Sequence, residues 1–215
     1  SHSLGASRSS IKVGSCKWSD ITVFSFHPVK MITTGEGGMA LTNSKKIYSK
    51  LIMFREHGIT RDQELISKKK GGAFYKSLGR SPQFEQQLLG YNYRMTDISA
   101  ALGISQFNKL NRFVKERNKI ANYYIKNIDN EHVSFQLVDK KNFSSFHLFI
   151  IRLDLDNMKK NYLEVFNSFR KIGIGVNLHY LPIHLHPYYQ KIGFKTGDFP
   201  ISEKYSREAM TIPLF

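Results

Sequence analysis

Residues 24–38, FSFHPVKMITTGEGG, constrain this chain more than any other stretch. Ile21, Val23, Phe24 and Phe26 are β-branched or aromatic and read as a strand. Pro28 ends that run, because it has no N–H to give to a ladder. Lys30 follows, then Thr33 and Thr34, the turn Gly35-Glu36-Gly37-Gly38, and a second apolar run, Met39-Ala40-Leu41. The pattern predicts two strands whose connection carries one lysine. A proline before it and glycines after it hold that lysine on stiff backbone, and glycine, lacking Cβ, lets another group come close. Such a lysine can present its amine to a carbonyl and form a Schiff base once it loses its proton, which a desolvated or cation-rich site promotes. A hairpin with one exposed lysine in its loop satisfies the same spacing, so spacing alone leaves both readings open.

The rest of the chain reads as mixed α/β. Ser44 is an N-cap candidate for a helix over 44–57 with a stripe of Ile47, Leu51 and Phe54, ended by Gly58 in the left-handed region. Residues 60–88 are polar, basic and broken by Gly71-Gly72 and Ser81-Pro82. They predict a long mobile loop with at most a short helix, in which Lys68, Lys69 and Lys70 are available to a diphosphate. Thr96 can cap one long helix over 96–128, striped by Ile98, Leu102, Phe107, Leu110, Val114 and Ile128. Strands at 133–137, 146–153 and 173–178 alternate with a helix at 157–172, and a short helix follows at 202–209. Tyr188, Tyr189 and Phe194 read as packing.

Composition decides a few classes. No apolar run approaches the roughly 18 residues that a membrane-spanning helix needs. Cys16 is the only cysteine, so no internal disulfide can form, which fits a reducing cytoplasm. The formal charge of +15 raises nucleic-acid binding, but the lysines are scattered and no nucleic-acid module accompanies them. Anionic small molecules suit the same field. His184 and His186 lie near His179, yet without cysteines or a carboxylate cluster they support no metal site.

Three blocks carry a resemblance: FSFHPVKMITTGEGGMALTN with FREHG after it, LGYNYRMTDISAAL at 89–102, and VNLHYLPIHLHPYY at 176–189. In this order they are similar to the signatures of the DegT/DnrJ/EryC1/StrS family of pyridoxal-phosphate-dependent sugar aminotransferases. The HPVK form resembles the members that serve pseudaminic acid synthesis. The resemblance implies an α/β, fold-type-I transferase of the aspartate aminotransferase kind. Residues 1–95 would be the C-terminal part of the large cofactor-binding domain, 96–128 a connecting helix, and 129–215 a small C-terminal α/β domain. The family's N-terminal half-domain, with the aspartate for the pyridine nitrogen, would precede Ser1, and its last helix would follow Phe215, so the isolated chain is expected to be inactive.

The family's site residues carry over by position. Lys30 is the catalytic lysine that holds pyridoxal 5'-phosphate. Ser25 binds the phosphate, His2 approaches the phenolic oxygen, and Asn92 or Arg94 reaches the phosphate of a partner subunit, which implies a homodimer with shared sites. His57, His179 and Tyr180 are substrate candidates. Glutamate would donate the amino group, and a UDP-linked 4-keto-6-deoxy sugar would receive it. A dehydratase of the same family carries histidine where this chain has Lys30 and is disfavoured. An inactive remnant, or a basic nucleotide- or RNA-binding protein, is the alternative from another class.

Overall fold

Thr22–Ser25 and Gly38–Leu41 pair antiparallel, with Phe24 opposite Met39 and Ser25 opposite Gly38. Alternation along the first strand buries Phe24 and leaves Val23 exposed, the outcome its period of two dictates. The computed structural model describes residues 2–67, 74, 77–80 and 83–215. They fall into two units, one made of Ile11–Leu110 with the N-terminal residues up to Leu4, the other of Gly5–Ser10 and Asn111–Phe215.

In the first unit, Ser44 caps the Lys45–Arg55 helix by accepting the Ile47 N–H. Gly58 is left-handed as expected, but not alone. His57 and Gly58 both adopt positive φ, 57° and 72°, so the left-handed turn begins on the histidine. The Gly58 N–H then donates to the Met53 carbonyl at 2.7 Å. Within 60–88 the short helix allowed for is present, and a strand is added to it. The described residues there include a helix, Gln63–Ser67, and a strand, Glu85–Gln86, that pairs with Ile59–Thr60. Lys68, Lys69 and Lys70 lie outside the described residues, as do Gly71, Gly72, Ser81 and Pro82.

The single helix expected over 96–128 is two. Asp97–Phe107 starts at Thr96, whose hydroxyl accepts the Ser99 N–H, and a turn at Asn108 and Lys109 separates it from Leu110–Asn127. The apolar stripe therefore changes character at the break. Ile98 is 86% exposed, whereas Leu110, Val114 and Ala121 are buried.

The second unit is built on a four-stranded antiparallel sheet in the order Asn177–Leu178, Ala209–Ile212, Phe149–Leu153, Val133–Phe135. Ala121, Val165, Phe149, Ile151, Met210 and Ile212 form its core, with Phe166 and Phe169 packed against them. The Tyr162–Lys171 helix begins later than the expected 157 because Asn161 and Glu164 form a reciprocal capping box. Ala209–Ile212, where the sequence pattern predicts no strand, is an inner strand, buried at all four residues. Tyr188 is exposed, not packed, and meets only the edge of Tyr189 among the ring contacts.

Candidate active site

The loop between the hairpin strands is closed by its own backbone. The Phe26 N–H donates to the Gly37 carbonyl and the Thr34 N–H to the Phe26 carbonyl. The Thr33 hydroxyl donates to the Phe26 carbonyl at 3.0 Å and accepts the Gly35 N–H, while the Thr34 hydroxyl donates to the Glu36 carbonyl at 2.7 Å. Two glycines make room for Thr34. A Cβ on Gly37 would lie 2.5 Å from its Oγ1, and one on Gly103 would lie 2.8 Å from its methyl carbon. Met31 and Ile32 are buried immediately after Lys30 and root the lysine's backbone.

Pro28 and Val29 occupy a turn in which the Lys30 N–H donates to the His27 carbonyl at 2.9 Å. His27 supports that turn by accepting the Val29 N–H on Nδ1, which leaves its Nε2 for Glu36 at 3.8 Å. That exposed pair contributes little by itself. The stiffness predicted for the Lys30 loop is thus present, and most of it comes from Thr33 and Thr34.

Lys30 Nζ lies 2.9 Å from His2 Nε2. Burial, and then the Lys30 charge, push the His2 imidazole below its ordinary pKa. A neutral imidazole with its Nε2 lone pair toward the lysine is the form that accepts from an ammonium. The Ser25 hydroxyl lies at the end of the strand and receives a long hydrogen bond, 3.5 Å, from the His27 N–H. The loop therefore joins an amine, a neutral imidazole and a hydroxyl-bearing strand end in one unit.

His57, Asn92 and Arg94 form a second group in that unit. Residues 91–93 run alongside the end of the Lys45–Arg55 helix. The Tyr91 N–H donates to the Phe54 carbonyl, the His57 N–H to the Tyr91 carbonyl, and the Tyr93 N–H to the Arg55 carbonyl. Asn92 bridges to Glu56, and Arg94 Nη1 is 3.1 Å from Glu56 Oε1. The tyrosine rings on either side of Asn92 stack at 4.9 Å. Glu56, which orients the arginine, carries no signal in the sequence because the two lie 38 positions apart.

His179 and Tyr180 belong to the second unit, directly after Asn177–Leu178. His179 is buried, Tyr180 is exposed, and their rings meet edge to face at 4.9 Å. His184 is engaged by Glu203, its Nε2 lying 2.9 Å from Glu203 Oε1. Nothing local in the sequence marks Glu203, because its partner lies 19 positions earlier. Among the described residues, no group of three or more histidine, cysteine or acidic side chains could hold a metal ion, and no helix is long and apolar enough to cross a membrane.

The His184 hydrogen bond, followed by the Gly197 N–H, holds the Glu203 carboxyl below the usual range. A depressed carboxyl contributes stability above its unfolded pKa and loses it as pH falls toward the folded value. The unfolding midpoint of the protein should therefore drop more steeply below the ordinary value of 4.5 than that of Glu203→Gln. Thermal unfolding across that acid range checks this; parallel curves would count against the pair.

The model of the DegT/DnrJ/EryC1/StrS aminotransferase family matches residues 1–215. A Campylobacter jejuni protein of serotype O:2, named UDP-4-amino-4,6-dideoxy-N-acetyl-beta-L-altrosamine transaminase, is 38% identical over 217 residues, covering 99% of this chain and 51% of that protein. The structure of Helicobacter pylori PseC, an aminotransferase involved in the biosynthesis of pseudoaminic acid, superposes with a TM-score of 0.81 at 30% identity, covering 99% of this chain and 52% of that one. Streptococcus pneumoniae Spr1654, described as a candidate sugar aminotransferase and solved in its PLP form, gives a TM-score of 0.80 at 27% identity, with 99% and 50% covered. The chain spans about half the length of the curated relatives it matches.

Proposed function

We propose a reaction for this chain from the premise that it belongs to the DegT/DnrJ/EryC1/StrS aminotransferase family, whose model matches it throughout. A full-length protein carrying this segment moves an amino group from glutamate to the keto carbon of a UDP-linked 4-keto-6-deoxy sugar, on the route to pseudaminic acid. Pyridoxal 5'-phosphate is its cofactor, a homodimer its working form and the cytoplasm its place. The similarity to the named C. jejuni transaminase and to PseC supports the sugar. The observation that carries the reading is the Lys30 amine, 2.9 Å from the His2 imidazole, in a braced loop.

The donor set fits the cofactor. Lys30 offers an amine to an aldehyde carbon, while Ser25, and whichever of Asn92 and Arg94 reaches across from a partner subunit, offer a hydroxyl and an amide or a guanidinium to a phosphate. His2, 2.9 Å from Lys30, is assigned to the phenolic oxygen. Bound pyridoxal phosphate supplies the electron sink and carries the amino group between the two substrates. Lys30 Nζ, once neutral, takes the proton from the donor's Cα and returns a proton on the acceptor side. His2 orients the Lys30 nitrogen by accepting from it. His57, His179 and Tyr180 are assigned to the substrate.

Borohydride reduction of the full-length protein supplied with cofactor, followed by peptide mapping, tests the assignment. A phosphopyridoxyl group on Lys30 is expected, and an unmodified Lys30 in a folded protein would overturn it. His2→Ala should lower turnover on the order of 10²-fold, the scale of a misplaced reacting group. It should also lower the fraction of Lys30 labelled at limiting cofactor, with His2→Gln, which retains an acceptor, recovering much of both. Equal labelling in all three proteins would remove His2 from the site.

A further inference from the structure

The Pro200–Glu208 helix runs directly into Ala209–Ile212, an inner strand of the second unit's sheet. Two of its side chains, Glu203 and Ser206, point at one segment. The Ser206 hydroxyl donates to the Tyr180 carbonyl at 2.6 Å. Glu203 Oε1 accepts from His184 Nε2 at 2.9 Å and from the Gly197 N–H at 2.8 Å. Both partners of the ion pair are buried, their side chains 8% and 7% exposed, and the Phe199 ring lies against the imidazole at 4.8 Å.

The segment these bonds hold follows directly on the Asn177–Leu178 strand. Pro182 has no N–H to contribute. Backbone bonds within it are local ones, from the Leu185 N–H to the Pro182 carbonyl and from the His186 N–H to the Ile183 carbonyl. Tyr180 nevertheless points outward, 73% exposed. The backbone is pinned at both ends while the tyrosine ring is left presented. A buried polar pair is an inefficient source of stability beside apolar packing of the same volume. What it supplies here is direction, since its bonds can be made in only one arrangement.

We propose that Glu203, through His184, and Ser206 form a two-point clamp, anchored in the sheet, that positions His179 and Tyr180 for the sugar-nucleotide substrate. The clamp rests on the assignment of these two residues to that substrate under the proposed function. Glu203 and Ser206 are positioning residues and need not touch it.

The test uses the full-length protein with glutamate and a UDP-linked 4-keto sugar, reading KM for each substrate separately, alongside the thermal unfolding midpoint. Glu203→Ala should raise KM for the keto sugar about tenfold, with the glutamate half-reaction unchanged, because only one substrate depends on the segment. Ser206→Ala should shift the same constant in the same direction by a smaller factor. Glu203→Gln retains an oxygen for both bonds and should recover most of the loss. If Glu203→Ala does not fold, Ser206→Ala decides. Equal losses in both half-reactions, or an unchanged keto-sugar KM in folded variants while Tyr180→Phe raises it, would overturn the clamp. Unchanged keto-sugar kinetics in both Tyr180→Phe and His179→Asn would instead overturn the substrate assignment, and the clamp with it.

Discussion

Lys30→Ala in the full-length protein is expected to abolish amino transfer while leaving the fold intact. The loop's shape does not depend on the lysine side chain, because its bonds run through the backbone and the hydroxyls of Thr33 and Thr34. Under the proposed function, what is lost is both the amine that would hold the cofactor and the base that would move the substrate proton. A positioned general base alone accounts for about 10²–10⁴ in rate, and loss of cofactor placement adds to it, so turnover should fall beyond that range. Lys30→Arg separates charge from chemistry. It keeps a cation that can donate to His2 but cannot lose its proton near neutrality, and it should be as inactive as alanine. Turnover by either variant within tenfold of the parent would remove Lys30 as the catalyst.

Gly58→Ala should cost more stability than a methyl group added at Gly35, Gly79 or Gly173, glycines of similar positive φ that have open space around them. Gly58 has φ of +72°, and a Cβ there would lie 1.8 Å from the Leu88 carbonyl oxygen, a backbone atom with no rotamer to move. Gly90 packs from the other side, its own Cβ position 2.2 Å from the Gly58 nitrogen. Left-handed backbone on a residue with a side chain costs about 1–3 kcal/mol, and the clash adds to it. Gly173→Ala is the control. Its φ is +82°, with nothing within 4 Å of the added carbon, so it bears the conformational cost alone. Unfolding midpoints of the two variants should differ clearly, with Gly58→Ala the lower. Equal losses would mean that the packing at Gly58 yields. The same substitution should weaken cofactor retention, because the strip it displaces carries Asn92 and Arg94 alongside Glu56.

The parts of the molecule legible in the sequence are those whose cause is local. The hairpin around Lys30 follows from alternation, a proline and a glycine turn, all within 24–38. Ser44 and Thr96 cap helices because the groups that satisfy their hydroxyls lie three residues away. The errors share the opposite origin. A stripe that holds helical spacing over 96–128 does not reveal the turn at Asn108 and Lys109, since a helical period survives a short break. Ala209–Ile212 shows no alternation because both of its faces are buried, and four residues are too few to tell a strand from the end of a helix.

From its sequence, the chain's family and the loop that carries Lys30 were determined, the family by three motif blocks in order and the loop because a proline, glycines and alternating apolar residues stand side by side. Tertiary structure alone decided what each reactive group meets. His2 reaches Lys30 across 28 positions, Arg94 meets Glu56 across 38, and Glu203 takes His184 across 19. Periodicity records which side of an element is apolar. Which polar atom arrives at a given point depends on how distant segments close on one another, and no local pattern carries that distance.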